Sequence, residues 1–320
     1  MLNELDFGWG NPYFLLDILS THKDIVKTSV LTRECSYGPD AGNLELIAKT
    51  REIIRYTTGQ EYKNVLITHG ATGAINSALR FFKDTGIDKV RTTKFGYPFY
   101  EEMIEKAGLE RVRGLIAPRP PHKSIALIDS PSNPEGLQTL LGSPLQDIWD
   151  SVYHNKIYTD DLKIIPGHSI MVGSYSKLLG ITGARVGWLA TDCDFTYDAI
   201  LKDTLHELAT ISLFSQGAVL SLLDNLDIEG VLATGKKDLD SNKTQVQKIE
   251  YIFDNQPVQK NGMFYLAQAD KAALKLLERC KIKYVSLQEN YIRLNMGQSK
   301  KIVNELALRI RKEDRILKKK

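Results

Sequence analysis

The sequence has 320 residues, 42% of them hydrophobic and 25% charged, with a formal net charge of +3 at pH 7. These proportions are typical of a globular protein, and they exclude a disordered chain, a collagen-like chain and a disulfide scaffold. A chain of this length favours two domains, a large one and a small one. The cysteines, Cys35, Cys193 and Cys280, are widely spaced and form no CxxC pair, so we predict neither disulfides nor a zinc site, and a reducing, cytoplasmic compartment.

The ends of the chain carry no strong targeting signal. The first ten residues lack the positive segment and apolar run of a secretory signal, and no stretch reaches the roughly 18 to 20 apolar residues of a membrane span. The lysine run at residues 318–320 follows an amphipathic segment, as is typical of a solvated helix end. We therefore expect a soluble protein without membrane or nucleic-acid partners. The histidines show no metal-ligand spacing, and we predict no metal.

Between residues 64 and 190, short apolar runs alternate with longer stretches in which apolar residues recur every three or four positions. The runs predicted as strands are Asn64 to Thr68, Lys89 to Lys94, Ser124 to Asp129, Lys156 to Asp160, Ser169 to Gly173 and Ala184 to Ala190. The stretches predicted as helices are Thr72 to Lys83, Pro98 to Ala107 and Pro144 to His154. This alternation indicates an α/β fold with a mainly parallel sheet and helices on both faces.

After residue 195 the pattern changes to long helices and then to an α+β unit. The predicted elements are helices at Phe195 to Asp224 and Asp227 to Phe253, a strand at Met263 to Ala267, a helix at Lys271 to Cys280, a strand at Asn290 to Leu294 and a helix at Lys300 to Leu317. The leading segment is too short to form a core alone. We therefore predict a large domain at residues 31–205 and a small domain made of residues 1–30 and 206–320.

The most informative segment is Ser174-Tyr-Ser-Lys-Leu-Leu-Gly-Ile-Thr-Gly-Ala-Arg-Val-Gly-Trp188. Lys177 follows a predicted buried strand and enters a loop punctuated by glycines, with hydroxyl groups before it and Arg185 eight residues later. A lysine amine can form an imine, and burial near other cations lowers its pKa and leaves it nucleophilic. The hydroxyls and the guanidinium are donors suited to a phosphate. An isolated Ser-Lys pair would more often be an exposed loop, so the complete spacing carries the argument.

This segment resembles the lysine signature of the class I and II aminotransferases, S-x-S-K-x-x-G-x-x-G-x-R-x-G, at every fixed position. The resemblance implies a pyridoxal 5'-phosphate (PLP) enzyme of fold type I, with a mainly parallel, seven-stranded type of sheet and a smaller α+β domain. It also implies that Lys177 carries the cofactor as a Schiff base. Gly70 to Ala74 follows a strand and opens a helix, where free N–H groups receive phosphates. Ala71 and Thr72 are then the phosphate contacts, completed by Ser174, Ser176 and Arg185.

Further residues occur in the family's order along the chain. Tyr97 matches the aromatic residue that stacks on the pyridine ring, and Asn133, in Asn133-Pro134-Glu135-Gly136, matches the asparagine that hydrogen-bonds the phenolic oxygen of PLP and faces the substrate. Taken alone, they could equally be a core tyrosine and a β-turn. We assign Asp160, at the end of the strand predicted from Lys156, to the pyridinium nitrogen. Its neighbour Asp161 is the alternative, since only one of two adjacent strand residues can face the ring.

The family has an aromatic residue two or three positions after that aspartate, whereas the third position here is Lys163. This departure puts a tyrosine hydrogen bond to PLP in doubt. Tyr37 resembles the tyrosine that reaches the neighbouring subunit's phosphate site, which implies a homodimer. Arg293 stands where the family's C-terminal arginine clamps the substrate α-carboxylate, for which its planar fork is suited. The stretch Asp6 to Pro12 and the segment around Asn133 are similar to the alliinase and tryptophan-aminotransferase branch.

We therefore predict an aminotransferase of amino acid metabolism that moves an amino group between an L-amino acid and a 2-oxo acid, with Lys177, Asp160 and Tyr97 in the catalytic centre. Two alternatives remain open. The same site could eliminate a β-substituent such as a sulfur group, as an alliinase-like lyase does, and Lys163 is the motive for considering it. A non-catalytic PLP-binding protein is the other, against which Lys177, Asp160 and Arg293 argue.

Overall fold

The computed structural model describes residues 3–8, 10–21, 37–114, 123–138, 147–160 and 170–318. In that part of the chain the helices are α1 (Tyr13–Ser20), α2 (Leu44–Thr58), α3 (Gly70–Asp84), α4 (Tyr100–Lys106), α5 (Tyr175–Leu178), α6 (Asp194–Leu208), α7 (Leu213–Asn225), α8 (Ile228–Gln247), α9 (Lys271–Arg279) and α10 (Lys300–Leu317). The strands are β1 (Leu5–Asp6), β2 (Asn64–His69), β3 (Lys89–Thr92), β4 (Glu110–Arg113), β5 (Ser124–Asp129), β6 (Asp147–Asp150), β7 (Ile170–Ser174), β8 (Val186–Thr191), β9 (Phe264–Gln268), β10 (Ile282–Lys283), β11 (Val285–Ser286) and β12 (Tyr291–Asn295).

A seven-stranded sheet with the order β2-β8-β7-β6-β5-β3-β4 forms the centre of the described fold. The pairs from β7 through β4 are parallel, and only β8 runs antiparallel to its two neighbours β2 and β7. The carboxyl ends of β2, β3, β5, β6 and β7 therefore lie along one edge of the sheet. In open α/β sheets this is the edge at which ligands bind.

Helices cover both faces of this sheet, and alternate residues of a strand belong to different cores. Leu66, Ile148 and Val172 pack with the apolar faces of α3, α4 and α6. The residues next to them, Val65 and Trp149 among them, pack into a second core with α2, α7 and α8. Burial on both faces explains why the central strands read as continuous apolar runs. The predicted fold class is confirmed.

A smaller sheet, β11-β12-β9, is antiparallel, and the leading strand β1 pairs in parallel with β10. The N-terminal segment is thus hydrogen-bonded to a strand of the C-terminal third, through Leu5↔Ile282 and Asp6↔Lys283. Helix α10 packs on α8 and α9, and α1 packs on α8. The predicted boundary at residue 205 falls inside α6, and the division into two domains stays a prediction.

Two predicted elements are wrong, and they adjoin each other in the sequence. The segment predicted as a helix from Pro144 to His154 contains strand β6, all four residues of which are buried. The strand predicted at Lys156 to Asp160 is a turn instead, because the carbonyl of Asn155 accepts hydrogen bonds from the backbone N–H of both Tyr158 and Thr159. Ile157 and Tyr158 are adjacent apolar residues, and this pattern resembles a short strand. Both side chains are buried because the turn that contains them packs against the core.

The helix predicted at Phe195 to Asp224 is two helices, α6 and α7, separated at Ala209, whose φ is +54°. Ser212 then caps α7 by accepting a hydrogen bond from the N–H of Ser215. Helices α1, α2 and α5 and strands β1, β4, β10 and β11 were not predicted. The helix predicted at Asp227 to Phe253 ends at Gln247, and the remaining predicted strands and helices are confirmed in position within a few residues.

No helix in the described part of the chain has the length and apolar character that crossing a membrane requires. Cys193 and Cys280 are free thiols, while Cys35 lies outside the described residues. Within the described ranges, no three His, Cys, Asp or Glu side chains are grouped so that they could hold a metal ion. The cytoplasmic location stays a prediction.

Candidate active site

A cavity at the carboxyl edge of the large sheet brings together most of the predicted site residues. Its walls are Ala71, Thr72, Ile75, Tyr97, Asp129, Asn133, Asp150, Val152, Tyr153, Ser174, Ser176, Lys177 and Arg185. These residues come from the ends of β5, β6 and β7, the first turn of α3, and the loops around Tyr97 and Arg185. Every cofactor residue predicted from the sequence lies here except Asp160 and Tyr37.

Lys177 lies in α5, a single helical turn that begins directly after β7. Ser174 starts this turn by accepting a hydrogen bond from the N–H of Ser176 at 3.1 Å, and Tyr158 donates its hydroxyl to the carbonyl oxygen of Lys177 at 2.7 Å. Burial, together with the positive charges of Arg185 and Arg293, lowers the pKa of Lys177 to about 8. Near neutral pH the amine is thus far easier to deprotonate than an exposed lysine.

Asp150, the last residue of β6, is the carboxylate that faces this lysine. Its two oxygens accept hydrogen bonds from the hydroxyl of Tyr100 at 2.7 Å and from the N–H of Val152 at 3.1 Å. Burial raises its pKa, and the Tyr100 hydroxyl, the Val152 N–H and the charge of Lys177 oppose that rise. Three residues later Tyr153, 8% exposed, lines the same cavity.

The assignment of Asp160 to the cofactor nitrogen is corrected by this geometry. The side chain of Asp160 is 53% exposed and pairs with Lys236 at 3.2 Å, outside the cavity. The alternative Asp161 and the departure at Lys163 lie outside the described residues. The segment Asp150-Ser151-Val152-Tyr153 does line the cavity, through Asp150, Val152 and Tyr153, and it has the family's spacing of an aspartate and a following aromatic residue. The sequence analysis did not assign it because it predicted a helix there.

The opposite end of the cavity is a cup of hydrogen-bond donors. Ala71 and Thr72 belong to the first turn of α3, whose N–H groups lack partners within the helix. Ser174, Ser176 and Arg185 face the same cavity. Helix α3 starts at Gly70, which has φ +67°, and the Nη2 atom of Arg185 lies 2.8 Å from the place that a Cβ on Gly70 would occupy. Glycine therefore allows the guanidinium to lie against the helix N-terminus, where the helix dipole also favours an anion.

Tyr97 forms one side of the cavity, and its ring meets the ring of Tyr100 edge to face at a centroid distance of 5.6 Å. Burial raises the pKa of Tyr97, while a hydrogen bond with Thr72 opposes this rise. Its predicted stacking on the pyridine ring stays a prediction.

Arg293 lines a second, wider cavity of about 650 Å³ that shares several residues with the first. The arginine is buried on β12, where Nη1 donates to Oδ1 of Asn133 at 3.1 Å, Nη2 donates to the carbonyl of Gly8 at 3.0 Å, and the guanidinium covers the ring of Phe264 at 4.4 Å. Its buried Nε has no hydrogen-bond partner among the described residues. Tyr97, Asn133, Tyr153, Lys177 and Arg185 line both cavities.

Tyr37 begins the described range 37–114, and its side chain is 86% exposed. It does not line the cavity of its own chain. Its predicted role across a subunit interface stays a prediction. The residues that the sequence analysis missed are Asp150, Tyr153 and Asp129.

The donor set is suited to PLP. It offers a buried amine of low pKa for the aldehyde, a carboxylate for the ring nitrogen, and a cup of N–H, hydroxyl and guanidinium groups for the phosphate. Fold and cavity together define the class of protein, an α/β protein whose cavity combines a lysine of lowered pKa, a carboxylate and a cup of hydrogen-bond donors.

Comparison with known proteins assigns the family. The model of the family "Aminotransferase class I and II" matches residues 2–310, so the chain belongs to that family, and the resemblance in the sequence is confirmed. It is an aminotransferase of fold type I, a family that is generally PLP-dependent. A solved structure from Methanococcus jannaschii, described as similar in its active site to kynurenine aminotransferases, covers 97% of this chain and 91% of its own with a TM-score of 0.78 and 22% identity.

Two curated relatives differ in how much they cover. The valine–pyruvate aminotransferase of Mycobacterium tuberculosis is 29% identical over 51% of this chain, and the match spans about half, 51%, of that relative. The aspartate aminotransferase of Pyrococcus horikoshii is 23% identical over 98% of this chain and 91% of the relative. Similarity to the alliinase branch is limited to a partial match, 30% identity with the alliin lyase of Allium cepa over 33% of this chain and 25% of that relative.

Proposed function

We propose that this aminotransferase binds PLP through Lys177 and moves an amino group between an L-amino acid and a 2-oxo acid. The observation that carries the proposal is the position of Lys177. Its amine, of pKa about 8, is buried in one cavity with the Asp150 carboxylate and with a donor cup at the other end. PLP, when bound, supplies an electron sink for a substrate carbanion.

Four residues would hold the ring of bound PLP. The carboxylate of Asp150, held by Tyr100 and by the N–H of Val152, would pair with the ring nitrogen and keep it protonated. Asn133 and Tyr153 would supply hydrogen bonds to the phenolic oxygen, and Tyr97 would stack on the ring. Ala71, Thr72, Ser174, Ser176 and Arg185 would hold the phosphate.

Proton transfer would fall to Nζ of Lys177. In its neutral form this amine would take the proton from the substrate α-carbon, and as an ammonium it would give the proton back. Burial and the charges of Arg185 and Arg293 favour the neutral form before the transfer. The charge of Asp150 favours the ammonium afterwards.

Substrate binding is assigned to Arg293 and Asn133. The guanidinium is held by Asn133, Gly8 and Phe264, and it lines the wider cavity. A fixed guanidinium recognises the planar α-carboxylate of amino acids and of 2-oxo acids alike. We also propose that the active unit is a homodimer in which Tyr37 contacts the phosphate cup of the partner subunit.

β-Elimination on the same site is the second candidate, and the partial match to alliin lyase is the observation that favours it. Lys163 is no longer an argument for elimination, because the proposed ring partner is Asp150 and an aromatic residue, Tyr153, stands three residues after it. The two reactions have different products. Elimination releases ammonia and pyruvate without an oxo-acid acceptor, whereas transamination needs the acceptor for turnover.

Borohydride trapping tests the central claim, with Lys243 as an internal control. Burial lowers the pKa of Lys243 to about 8 as well, but this lysine donates to the carbonyl of Lys260 outside the cavity. We expect reduction of the PLP-loaded protein to attach the cofactor to Lys177 and to leave Lys243 unmodified, as read by peptide mapping. An adduct on another lysine, or none, would refute the proposal. Accumulation of 2-oxo acid from a panel of amino acids, with and without an acceptor, then separates the two reactions.

A further inference from the structure

A second buried carboxyl group, Asp129, lies beside Asp150 in the cavity. Asp129 ends β5 as Asp150 ends β6, and the two are direct partners in the parallel register of these strands. Its side chain is 2% exposed. None of the roles proposed above uses it, although it lines the same cavity as Lys177.

The hydrogen bonds of Asp129 lead towards the substrate side of the cavity. Its Oδ2 accepts from the backbone N–H of Asn133 at 2.7 Å, and its Oδ1 is 3.2 Å from the hydroxyl of Thr93. The side chain of Asn133 in turn accepts from Nη1 of Arg293 at 3.1 Å. A continuous buried chain of hydrogen bonds thus runs from β5 through the Asn133 turn to the guanidinium.

We propose that Asp129 is a positioning residue that fixes the turn of Asn133 and, through Asn133, the orientation in which Arg293 receives the substrate carboxylate. The inference rests on the proposed function, since it gives Arg293 that role. The geometry carries it. Among the described residues, Asn133 is the one whose side chain hydrogen-bonds the guanidinium, and the backbone of Asn133 is anchored to a carboxyl group that is 2% exposed.

The charge state of Asp129 is compatible with this task. Burial, together with the nearby carboxyl groups of Asp150 and Glu135, raises its pKa to about 8, against the opposing hydrogen bond from Asn133. Near pH 7 the acid is mostly protonated. In the structure the N–H of Asn133 donates to Oδ2 of Asp129 and the hydroxyl of Thr93 donates to Oδ1. An asparagine at this position keeps the size of the side chain and an oxygen that can accept from the Asn133 N–H.

The test compares Asp129→Ala, Asp129→Asn and the control Asp147→Ala in the PLP-loaded enzyme. Asp147 begins β6 on the same strand pair, is 4% exposed, and accepts a hydrogen bond from the N–H of Ala126 at 3.3 Å, so its removal also deletes a buried carboxyl group. The readouts are the apparent dissociation constants of the best amino acid and of its decarboxylated amine in the single-turnover half-reaction. Calorimetric titration with 3-phenylpropionate, a carboxylate without an amine, is a third readout independent of turnover.

We expect Asp129→Ala to weaken the binding of the amino acid and of 3-phenylpropionate about tenfold, while the affinity for the amine stays within about twofold of wild type. Asp129→Asn should stay close to wild type, and Asp147→Ala should leave the ratio of amino acid to amine unchanged. Three outcomes would overturn the inference. They are equal losses of affinity for the amino acid and the amine, an Asp129→Asn variant that binds as weakly as Asp129→Ala, and the same selective loss in Asp147→Ala. If Asp129→Ala does not fold, Asp129→Ser, too short to reach the Asn133 N–H, takes its place.

Failure of this inference and failure of the proposed function give different results. Wild-type protein that reacts with no amino acid would refute the function itself. If the wild-type protein reacts but the Asp129 variants lose amino acid and amine binding equally, only the positioning role is refuted.

Discussion

Replacing Asp150 by asparagine, with Asp160→Asn as the matched control, tests where the cofactor's ionic partner lies. The asparagine keeps the size of the side chain and one hydrogen-bond acceptor, but it removes the charge and replaces the second acceptor oxygen with an amide nitrogen. The two aspartates differ in surroundings. Asp150 is buried and held by Tyr100 and Val152, whereas Asp160 is half exposed and pairs with Lys236 on the surface.

The expected magnitudes follow from those surroundings. Loss of a preorganised charged group in a water-excluded site typically lowers the rate by about 100- to 1,000-fold, or about 2.7 to 4 kcal/mol. An exposed ion pair contributes about 0 to 1 kcal/mol to stability and nothing to a site that it does not touch. Asp150→Asn should therefore lose at least about 100-fold in the half-reaction, and Asp160→Asn should stay within a few-fold of wild type.

The assay is single-turnover conversion of an amino acid by PLP-loaded protein, followed through the absorbance of the bound cofactor. PLP affinity and the melting temperature are measured in parallel, so that misfolding is recognised. The negative charge of Asp150 raises the pKa of Lys177, so its removal should also lower the pKa of that lysine in cofactor-free protein. Equal losses in the two variants, or a larger loss in Asp160→Asn, would refute the placement of the site at the end of β6.

The other predictions concern the lysine, the arginine and the subunit interface. In cofactor-free protein, attachment of PLP requires the neutral form of Lys177. The rate of attachment should therefore rise with pH and level off above about 8. A rate that continues to rise towards pH 10 would contradict the lowered pKa. Arg293→Lys keeps the charge but loses the planar fork, so amino acids should bind roughly 10- to 100-fold more weakly. The binding of decarboxylated amines should change little. Equal losses of affinity for both would make Arg293 a structural residue. Tyr37→Phe should weaken PLP binding by about 1 to 3 kcal/mol, as measured by equilibrium dialysis. Mixed dimers of inactive Tyr37→Ala and Lys177→Ala chains should regain activity, and no recovery after proven exchange would remove Tyr37 from the partner's site.

Burial and the charged groups around the cavity together shift the pKa of its lysine and of its carboxyl groups. Burial, Arg185 and Arg293 lower the pKa of Lys177, while Asp150 raises it. Asp129, beside Asp150, has its pKa raised to about 8, so the two neighbouring carboxyl groups need not both be ionised. The amine is therefore poised between its two forms near the pH at which it must both take and return a proton.

Much of the site could be predicted from the sequence because its residues lie in short contiguous segments. Ser174, Ser176, Lys177 and Arg185 fall within a dozen positions, and strand-turn geometry brings them together whatever the rest of the chain does. Asp150 and Asp129 lie outside that segment, and the spacing of Asp150 and Tyr153 was overlooked because a helix was predicted there. Each is a single acid at the end of a strand buried on both faces, where the alternation of apolar and polar residues is lost.

The sequence by itself determined the fold class, the order of most strands and helices, and the identity of the reactive lysine, because hydrophobic periodicity and a complete local motif are properties of neighbouring residues. It could not decide between Asp150 and Asp160, ten positions apart. Only the pairing of β6 between β5 and β7 brings Asp150 to the edge where Lys177 lies. The contact of Arg293 with Asn133 joins residues 160 positions apart, so it too exists only once the strands have packed. Local sequence cannot specify such contacts, since burial and register are set by the whole sheet.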